Sequence, residues 1–243
     1  MKNYIVAGIF GISIMTGAYL LGKGYQNRNK KEGTINVTGL GQTDFVSDLI
    51  VWEGSFESSA YNLNSAYSNL ESDKVKIERY LDEMGIDDAD IVFSAVKTQN
   101  LFKNNYSSEG KYLGELFNGY KLTQTVKIES KNVKQVEKVS RKITELLNKG
   151  VTLYSQPPRY YYTKLAELKQ DMIAKATEDA RLRAENISKN SGGNLGGLKI
   201  ARMGIFQITG QNSTENHSWG GTFNTSSKKK TASITMKLEY KID

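Results

Sequence analysis

The sequence predicts an α+β protein in which an N-terminal transmembrane helix precedes two subdomains of mostly antiparallel sheet with long helices packed on them. Three observations predict this class. Residues 4–22 form an uncharged apolar run, strand patterns occur in pairs separated by single helical patterns, and one helical stripe extends over residues 165–187. The predicted segments are an anchor or signal at 1–22, a linker at 23–33, and a body at 34–243 with subdomains at about 34–150 and 151–243.

The N-terminal run is long enough to cross a bilayer as a helix. A helix rises about 1.5 Å per residue and the hydrocarbon core is about 30 Å thick, so residues 4–22 just span it. A cleaved signal peptide and a buried helix are alternatives, although a signal peptide has a shorter apolar region and residues 18–20 match a cleavage site poorly. The basic residues after the run are Lys23, Arg28, Lys30 and Lys31, and they favour a cytoplasmic body. Long domains nevertheless cross membranes despite such charges.

The composition excludes several classes of chemistry. The chain has no cysteine, which excludes disulfides, thiolate catalysis and cysteine metal sites. Its net charge of +7 permits attraction to anionic lipid or nucleic acid. No basic helix or aromatic RNA-binding motif accompanies this charge, so we predict no nucleic-acid partner.

The first part of the body begins with two strand patterns. Residues 34–40 alternate with period two, and residues 48–57 place a second set on one face: Ile50, Trp52, Gly54 and Phe56. Gly39 and Gly41 stand between the two patterns. We interpret them as a tight turn and not as a phosphate-binding loop, because no helix N-terminus follows.

Two helices and two more strands complete this half. The first helix is predicted at 62–84 and ends at Gly85. Its predicted inward face consists of Leu63, Tyr67, Leu70, Ile77, Leu81 and Met84. Strands are predicted at 90–101 and 120–129, separated by a polar loop at 103–119. The second helix is predicted at 133–148, with Asn132 and Gln135 at capping-box spacing and an inward face of Val136, Val139, Ile143 and Leu147.

The second half is built around the longest helical stripe of the body. After Pro157 and Pro158, residues 159–162 form an aromatic strand. A helix follows and ends at Gly192-Gly193. Its apolar stripe consists of Leu165, Leu168, Met172, Ala176, Ala180, Ala184 and Ile187, and the alanines allow the close approach of another element. Two final strands, at 199–209 and 231–242, flank a segment rich in Gly, Ser and Asn.

These blocks resemble the SIMPL-domain family, a group of bacterial exported or membrane-anchored proteins. The resemblance covers residues 33–243 and is most specific in Asp179-Ala180-Arg181-Leu182-Arg183-Ala184, followed by Gly192-Gly193-Asn194-Leu195-Gly196. It implies a periplasmic or outward-facing body, two α+β subdomains and homo-oligomers in some members, and it supplies no catalytic residues. The chain departs from the family pattern in its aromatic cluster at 160–162 and in the length of segment 210–230.

Few residues are candidates for chemistry. The sole histidine, His217, lies in a loop-like segment, and Asp87, Asp88 and Asp90 lack the glycine and distal glutamate of a calcium loop. Asp179 and Arg183 have the spacing of a helical ion pair. The aromatic residues at 160–162, with Trp219 and Phe223, form either a sticky or glycan-stacking surface or a half-buried strand with a loop anchor. We predict no catalytic, cofactor-binding or metal-binding residue and no cofactor.

We therefore expect an envelope protein anchored in the inner membrane, with its body in the periplasm or otherwise outside the cytoplasm. It is expected to bind or assemble without catalytic activity and to form a homo-oligomer through the loops at 103–119 and 210–230. Two other classes stay open: an envelope hydrolase of unknown substrate and a cytoplasm-facing membrane adaptor. Carboxylates converging in a pocket would favour the hydrolase, and a body exposed to the cytoplasm would favour the adaptor.

Overall fold

The computed structural model describes residues 2–28, 33–216 and 218–242. Its α-helices are α1 (Lys2–Arg28), α2 (Leu63–Glu83), α3 (Val133–Lys142) and α4 (Leu165–Asn190). Its strands are β1 (Thr34–Val46), β2 (Leu49–Ala60), β3 (Ile91–Phe93), β4 (Lys97–Tyr106), β5 (Tyr112–Ser130), β6 (Leu153–Ser155), β7 (Arg159–Tyr161), β8 (Leu195–Met203), β9 (Gln207–Gly210) and β10 (Lys229–Ile242). This order confirms the predicted α+β class with paired strands between single helices.

The predicted N-terminal helix is present as α1. Large apolar side chains such as Ile9, Phe10 and Leu21 are exposed along it. In the part of the chain that the structure describes, no helix combines the length and apolar character needed to cross a membrane. The membrane-spanning character expected for residues 4–22 therefore finds no support in the described residues.

The described residues divide into two compact units. Unit 1 takes its residues from Met1–Leu40, Ala176–Gly204 and Thr235–Asp243, and unit 2 from Gly41–Lys175 and Ile205–Ile234. Each unit is therefore discontinuous in sequence. The predicted subdomain boundary near residue 150 stays a prediction.

The core of unit 2 lies between a six-stranded sheet and helices α2 and α3. Strands β3, β5, β2 and β6 are neighbours in that order, while β4 pairs with β5 and β7 pairs with β2. Antiparallel pairing of β2 with β5 runs from Ile50↔Ser130 to Ala60↔Tyr120. The predicted inward face of β2 is confirmed, because Ile50, Trp52 and Phe56 are fully buried.

A four-stranded sheet contains β1, β10 and β8 in that order, with β9 also paired to β10. In unit 1, β10 pairs antiparallel with β8, and Met236 lies opposite Met203. In unit 2, the start of β10 pairs antiparallel with β9, and Lys230 lies opposite Gly210. Alternate residues of β10 are buried, as its period-two pattern predicts.

The helices α2 and α3 correct part of the predicted inward faces. Leu63 and Tyr67, predicted to point inward, are exposed in the first turns of α2, whereas Ala66 is buried. Leu147 is also exposed, and its neighbour Leu146 is buried instead. The reason is that Ile143–Lys149 is a 3₁₀ helix, in which the inward position recurs every three residues rather than every four.

The stripe of α4 is confirmed over most of its length. Leu168, Met172 and the three alanines at 176, 180 and 184 are buried. Ile187, the last predicted member, is instead 51% exposed, and Ser188 is buried in its place. The inward positions advance by four residues from Leu168 onward, so the next one after Ala184 is Ser188.

Two predicted turns or loops are wrong. The chain does not turn at Gly39 and Gly41, since β1 continues without interruption through both residues. The polar loop predicted at 103–119 is instead the end of a long hairpin, in which β4 pairs with β5 up to Tyr106↔Tyr112. Its Asn-, Ser- and Gly-rich composition gave no sign of a strand, because no residue of β4 is buried.

Candidate functional site

Gly39 of β1 lies directly against α4 in unit 1. A Cβ added at Gly39 would lie 2.7 Å from the Cβ of Ala180 and closer still to the carbonyl oxygen of Ala176. Only glycine opposite alanine therefore permits this close packing of strand and helix. The alanine stripe has a structural role here, as its small residues predicted.

Asp179 ties α4 to the same strand. Its Oδ2 accepts a hydrogen bond from the backbone N–H of Leu40 at 2.8 Å and forms an ion pair with Arg183 at 3.0 Å. These two donors, the backbone N–H first, hold the pKa of Asp179 below its ordinary value. The predicted Asp179–Arg183 pair is therefore present, and its carboxylate serves packing in unit 1.

In unit 2, polar side chains organise the segment from 207 to 230. Gln207 is buried; its Oε1 accepts from the backbone N–H of Thr222 at 2.7 Å, and its Nε2 donates to the carbonyl of Ser218 at 2.8 Å. These side-chain hydrogen bonds hold residues 218–222, which lie outside any strand. The described residues of this segment are thus held by specific contacts.

Glu215 and Asn224 form the second fixed point of this segment. Glu215 accepts from the backbone N–H of Gly210 at 2.9 Å and from the Nδ2 of Asn224. These two donors, in that order, lower the pKa of Glu215, so it stays a carboxylate. Asn224 is buried, and its Oδ1 accepts from the backbone N–H of Ser227 at 2.8 Å.

Lys230 is the most unusual ionisable group among the described residues. It is only 1% exposed, and its Nζ donates to the carbonyl oxygen of Tyr160 at 2.6 Å. The same Nζ lies 5.8 Å from the ring centre of Phe223. Burial lowers the pKa of Lys230 to about 8, against the opposing attraction of Glu215.

Tyr160 connects this lysine to α3. Its hydroxyl donates to Glu137 at 3.0 Å, and burial together with this carboxylate raises the pKa of Tyr160 to about 12. Glu137 also pairs with Lys228 at 3.1 Å. The half-buried strand is therefore the correct interpretation of Tyr160, because its hydroxyl, carbonyl and N–H are all engaged within unit 2.

Trp219 contrasts with these buried groups. It is 95% exposed, at a turn held on either side by Gln207 through Ser218 and Thr222. Phe223 is half exposed and contacts Lys230. A fixed backbone that presents a fully exposed tryptophan is typical of a contact surface, since covering an indole removes a large apolar area from water.

A second exposed surface lies on the hairpin of β4 and β5. We define its outer part, residues 101–118, as the ribbon. Phe102 pairs with Phe117 across the two strands, and Tyr106 pairs with Tyr112. Tyr61 contacts Phe117 with ring centres 5.6 Å apart. Residues opposite each other in an antiparallel pair point to the same side. Phe102, Asn104 and Tyr106 alternate along β4, and the Nδ2 of Asn104 donates to the hydroxyl of Tyr106 at 3.4 Å, so both pairs share one side despite the register shift after Asn105. One aromatic face therefore contains these five residues: Tyr61, Phe102, Tyr106, Tyr112 and Phe117.

No metal centre is formed by the described residues. Asp87 accepts from the backbone N–H of Ala89 at 3.0 Å and caps the short 3₁₀ helix Asp88–Asp90. Across residues 2–28, 33–216 and 218–242, no group of three His, Asp or Glu side chains could hold an ion. His217 lies outside the described residues.

A family profile matches most of the body. It is that of SIMPL, described as a protein of unknown function (DUF541), and it matches residues 35–239. The chain belongs to the SIMPL family. Among curated proteins, none matches it. The resemblance is thereby confirmed, and the matched residues include Asp179 and Ala180, which lie against β1.

Sequence reasoning missed the polar groups that shape segment 207–230 in this SIMPL chain. Gln207, Glu215, Asn224 and Lys230 were not singled out by any motif. One signal for Lys230 was present, because the period-two pattern of β10 places it on the same face as Ala232 and Ile234, which are buried. Gln207 acts through backbone groups 11 and 15 residues away, which no local pattern reveals. Glu215 and Asn224 bind backbone groups five and three residues away, so Asn-, Ser- and Gly-rich turn chemistry is the signal that could have found them.

Proposed function

We propose that this protein is a membrane-attached, extracytoplasmic binding or assembly protein of the cell envelope that associates with itself and has no catalytic activity. The observation that carries the proposal is the uncovered aromatic face of the ribbon. A soluble domain seldom leaves such a surface in water unless it is covered by another molecule. Trp219 adds a second exposed contact of the same type.

The ionisable groups of the described body support a role without catalysis. Asp179, Glu215 and Glu137 each bind donors that hold the fold together. Lys230 is the group that a catalytic role would favour, because its pKa is depressed to about 8. Its amine is buried and donates to Tyr160, so it has no free path to a substrate.

Membrane attachment through α1 rests on the sequence. Residues 4–22 carry no charge, and the apolar side chains described in this helix are exposed, among them Ile9, Phe10 and Leu21. Covering these side chains with lipid would remove them from water. The extracytoplasmic location follows from the resemblance to exported and membrane-anchored SIMPL proteins.

Fractionation of cells that express the full chain tests attachment and location together. We expect the chain in the membrane pellet after salt and carbonate washes, and we expect added protease to digest the body once the outer barrier is permeabilised. Release by carbonate would contradict integral attachment. Protection of the body until the cytoplasm is opened would favour the cytoplasm-facing adaptor instead.

Co-isolation of two differently tagged full chains tests self-association. Both tags should be recovered together from detergent extracts in which the two chains were expressed in one cell. Extracts mixed after lysis provide the control for association in detergent alone. Recovery of one tag only would contradict the assembly role, and a substrate turned over by the purified chain would contradict the absence of catalysis.

A further inference from the structure

The ribbon is held in place only at its root. Strand β5 pairs with β2 from Tyr120 onward, so the residues of β5 before it pair only with β4. A two-stranded hairpin is at best marginally stable in water when no further strand or helix covers it. Within the described residues, the one ring from outside the aromatic face that packs against it is Tyr120, which contacts Phe117 at the root with ring centres 5.1 Å apart.

The exposed area of the aromatic face matches the requirement of a protein interface. Tyr61 is 73% exposed, Phe102 and Tyr106 are each 55% exposed, and Tyr112 is 52% exposed. At about 200 Å² for an aromatic side chain, these four expose roughly 400–500 Å². A standard interface buries about 800 Å² per partner, of which about 65% is apolar in homodimers, or roughly 500 Å².

The charge of the ribbon favours a second copy of this chain as the partner. The whole protein carries a net charge of +7, so two copies repel each other over most of their surfaces. The charged residues of the ribbon are Lys103, Glu109, Lys111 and Glu115, which cancel. A neutral, aromatic face is therefore where two copies meet without repulsion, whereas an anionic lipid surface would attract the basic parts of the protein more strongly than this neutral face.

We propose that the aromatic faces of two ribbons pack against each other across a two-fold axis, forming the contact through which the chain self-associates. This inference rests on the assembly role proposed above. A two-fold contact uses the same patch on both copies, so one self-complementary face is sufficient. Face-to-face packing at about 10 Å covers the aromatic side chains of both ribbons.

Single cysteines test the contact, because the chain contains no cysteine of its own. Asn104 lies between Phe102 and Tyr106 in β4 and points to the aromatic face, whereas the next residue, Asn105, points to the opposite face. In membranes that contain the full chain, a short thiol cross-linker should join N104C into a dimer. The matched control N105C should give at least about fivefold less dimer.

Apolar-to-polar substitutions test the energy of the contact. The double variant Phe102→Ser and Tyr106→Ser should weaken association of the full chain in detergent at least about tenfold, since both rings lie in the proposed contact. Leu116→Ser is the control, because Leu116 is an exposed apolar residue on the other face of the ribbon. The melting temperature of both variants in dilute detergent should stay near that of the unchanged chain, which separates lost contact from lost fold.

The outcomes separate this inference from the assembly role. Dimers cross-linked through N104C, and lost in the double variant, support the ribbon contact. Association that persists in the double variant, without cross-linking through N104C, overturns the ribbon contact and leaves assembly intact. An unchanged chain that is monomeric at all concentrations, or whose ribbon binds only a different protein, overturns both.

Discussion

Two regions of this protein pack closely by opposite means. In unit 1, β1 and α4 meet through residues with almost no side chain, Gly39 against Ala176 and Ala180. In unit 2, segment 207–230 is held by large polar side chains, above all Gln207 and Asn224, which bind backbone groups. In the first region, small residues let the backbones of strand and helix pack closely. In the second, hydrogen bonds satisfy buried polar groups.

These two kinds of packing are not equally visible in a sequence. Small residues at helical spacing are a local pattern, so the α4 stripe is visible without a structure. A buried amide acts through whichever backbone group the fold brings to it, and Gln207 and Thr222 are neighbours only in three dimensions. The two regions should therefore respond differently to mutation.

The largest effect is expected at the β1–α4 contact. Gly39→Val should destabilise the protein by about 3–5 kcal/mol or prevent folding, because the added atoms meet the backbone of α4, which cannot move aside cheaply. Gly197→Val, in β8, is the control, since a Cβ there meets nothing within 4 Å. Thermal unfolding of the two variants measures the difference, and equal melting temperatures would refute the close contact.

Ala180→Glu tests the other side of the same contact. Ala180 is fully buried, so an unpaired carboxylate there should cost about 3 kcal/mol or more. Arg181 is partly exposed and pairs with Glu178 at 2.7 Å, so Arg181→Glu should cost only about 1 kcal/mol. Comparable urea midpoints for the two variants would show that the buried face of α4 is assigned wrongly.

Asn224→Ala should weaken the second region by an intermediate amount. The variant removes the acceptor of the Ser227 N–H and a donor to the exposed carboxylate of Glu215, which water replaces in part, so it should cost about 2 kcal/mol. Thr214→Ala, at an exposed position of the same segment, should change stability by less than about 0.5 kcal/mol. Chemical denaturation checks both, and an unchanged stability of Asn224→Ala would show that its contacts carry no energy.

Lys230 gives segment 207–230 a dependence on alkaline pH, whereas the lowered pKa of Asp179 makes the β1–α4 contact depend on acidic pH. Its pKa is about 8 in the folded protein, below its ordinary value of 10.5, so the unfolded chain binds more protons between these values. Stability should therefore rise from about pH 8 to about pH 10.5 through this group, by on the order of 2–3 kcal/mol. Below pH 8 the full cost of the buried charge is present.

Lys230→Met isolates this contribution. Methionine keeps most of the buried volume and does not titrate, so the difference in stability between the two proteins should change over pH 8–10.5 and stay flat below it. Lys229→Met, at an exposed neighbour in β10, is the control and should show no such change. A constant difference across the range would mean that the pKa of Lys230 is the same in the folded and unfolded protein, as for a well-solvated amine.

The smallest effect on stability is expected at Trp219. Because it is 95% exposed, Trp219→Ala should change the free energy of unfolding by less than about 0.5 kcal/mol. The same substitution at Trp52, which is fully buried, should cost about 3–5 kcal/mol. A large loss of stability in Trp219→Ala would show that the indole is covered within the protein and is not a contact surface.

Much of the fold was predictable because it depends on local periodicity. The inward face of β2, the alanine stripe and the glycine at the end of α2 each follow from spacing along one element, and Gly85 adopts the expected positive φ of 73°. The prediction of the inward face of the second helix failed at Leu147, because the end of this helix is a 3₁₀ helix. Local patterns assume one helix type and cannot show where it changes.

The class of fold, the family and the small-residue contact of α4 were predictable without a structure, because they depend on patterns along the chain. Three features became visible only in the folded protein: Gly39 lies inside a strand, 103–119 is part of a hairpin, and Lys230 is buried beside Tyr160. Each of these depends on which distant segments meet. Polar composition predicts solvent exposure on average, but a buried amide, a paired strand or a desolvated amine is defined by its partner, and the partner is chosen by the folded chain.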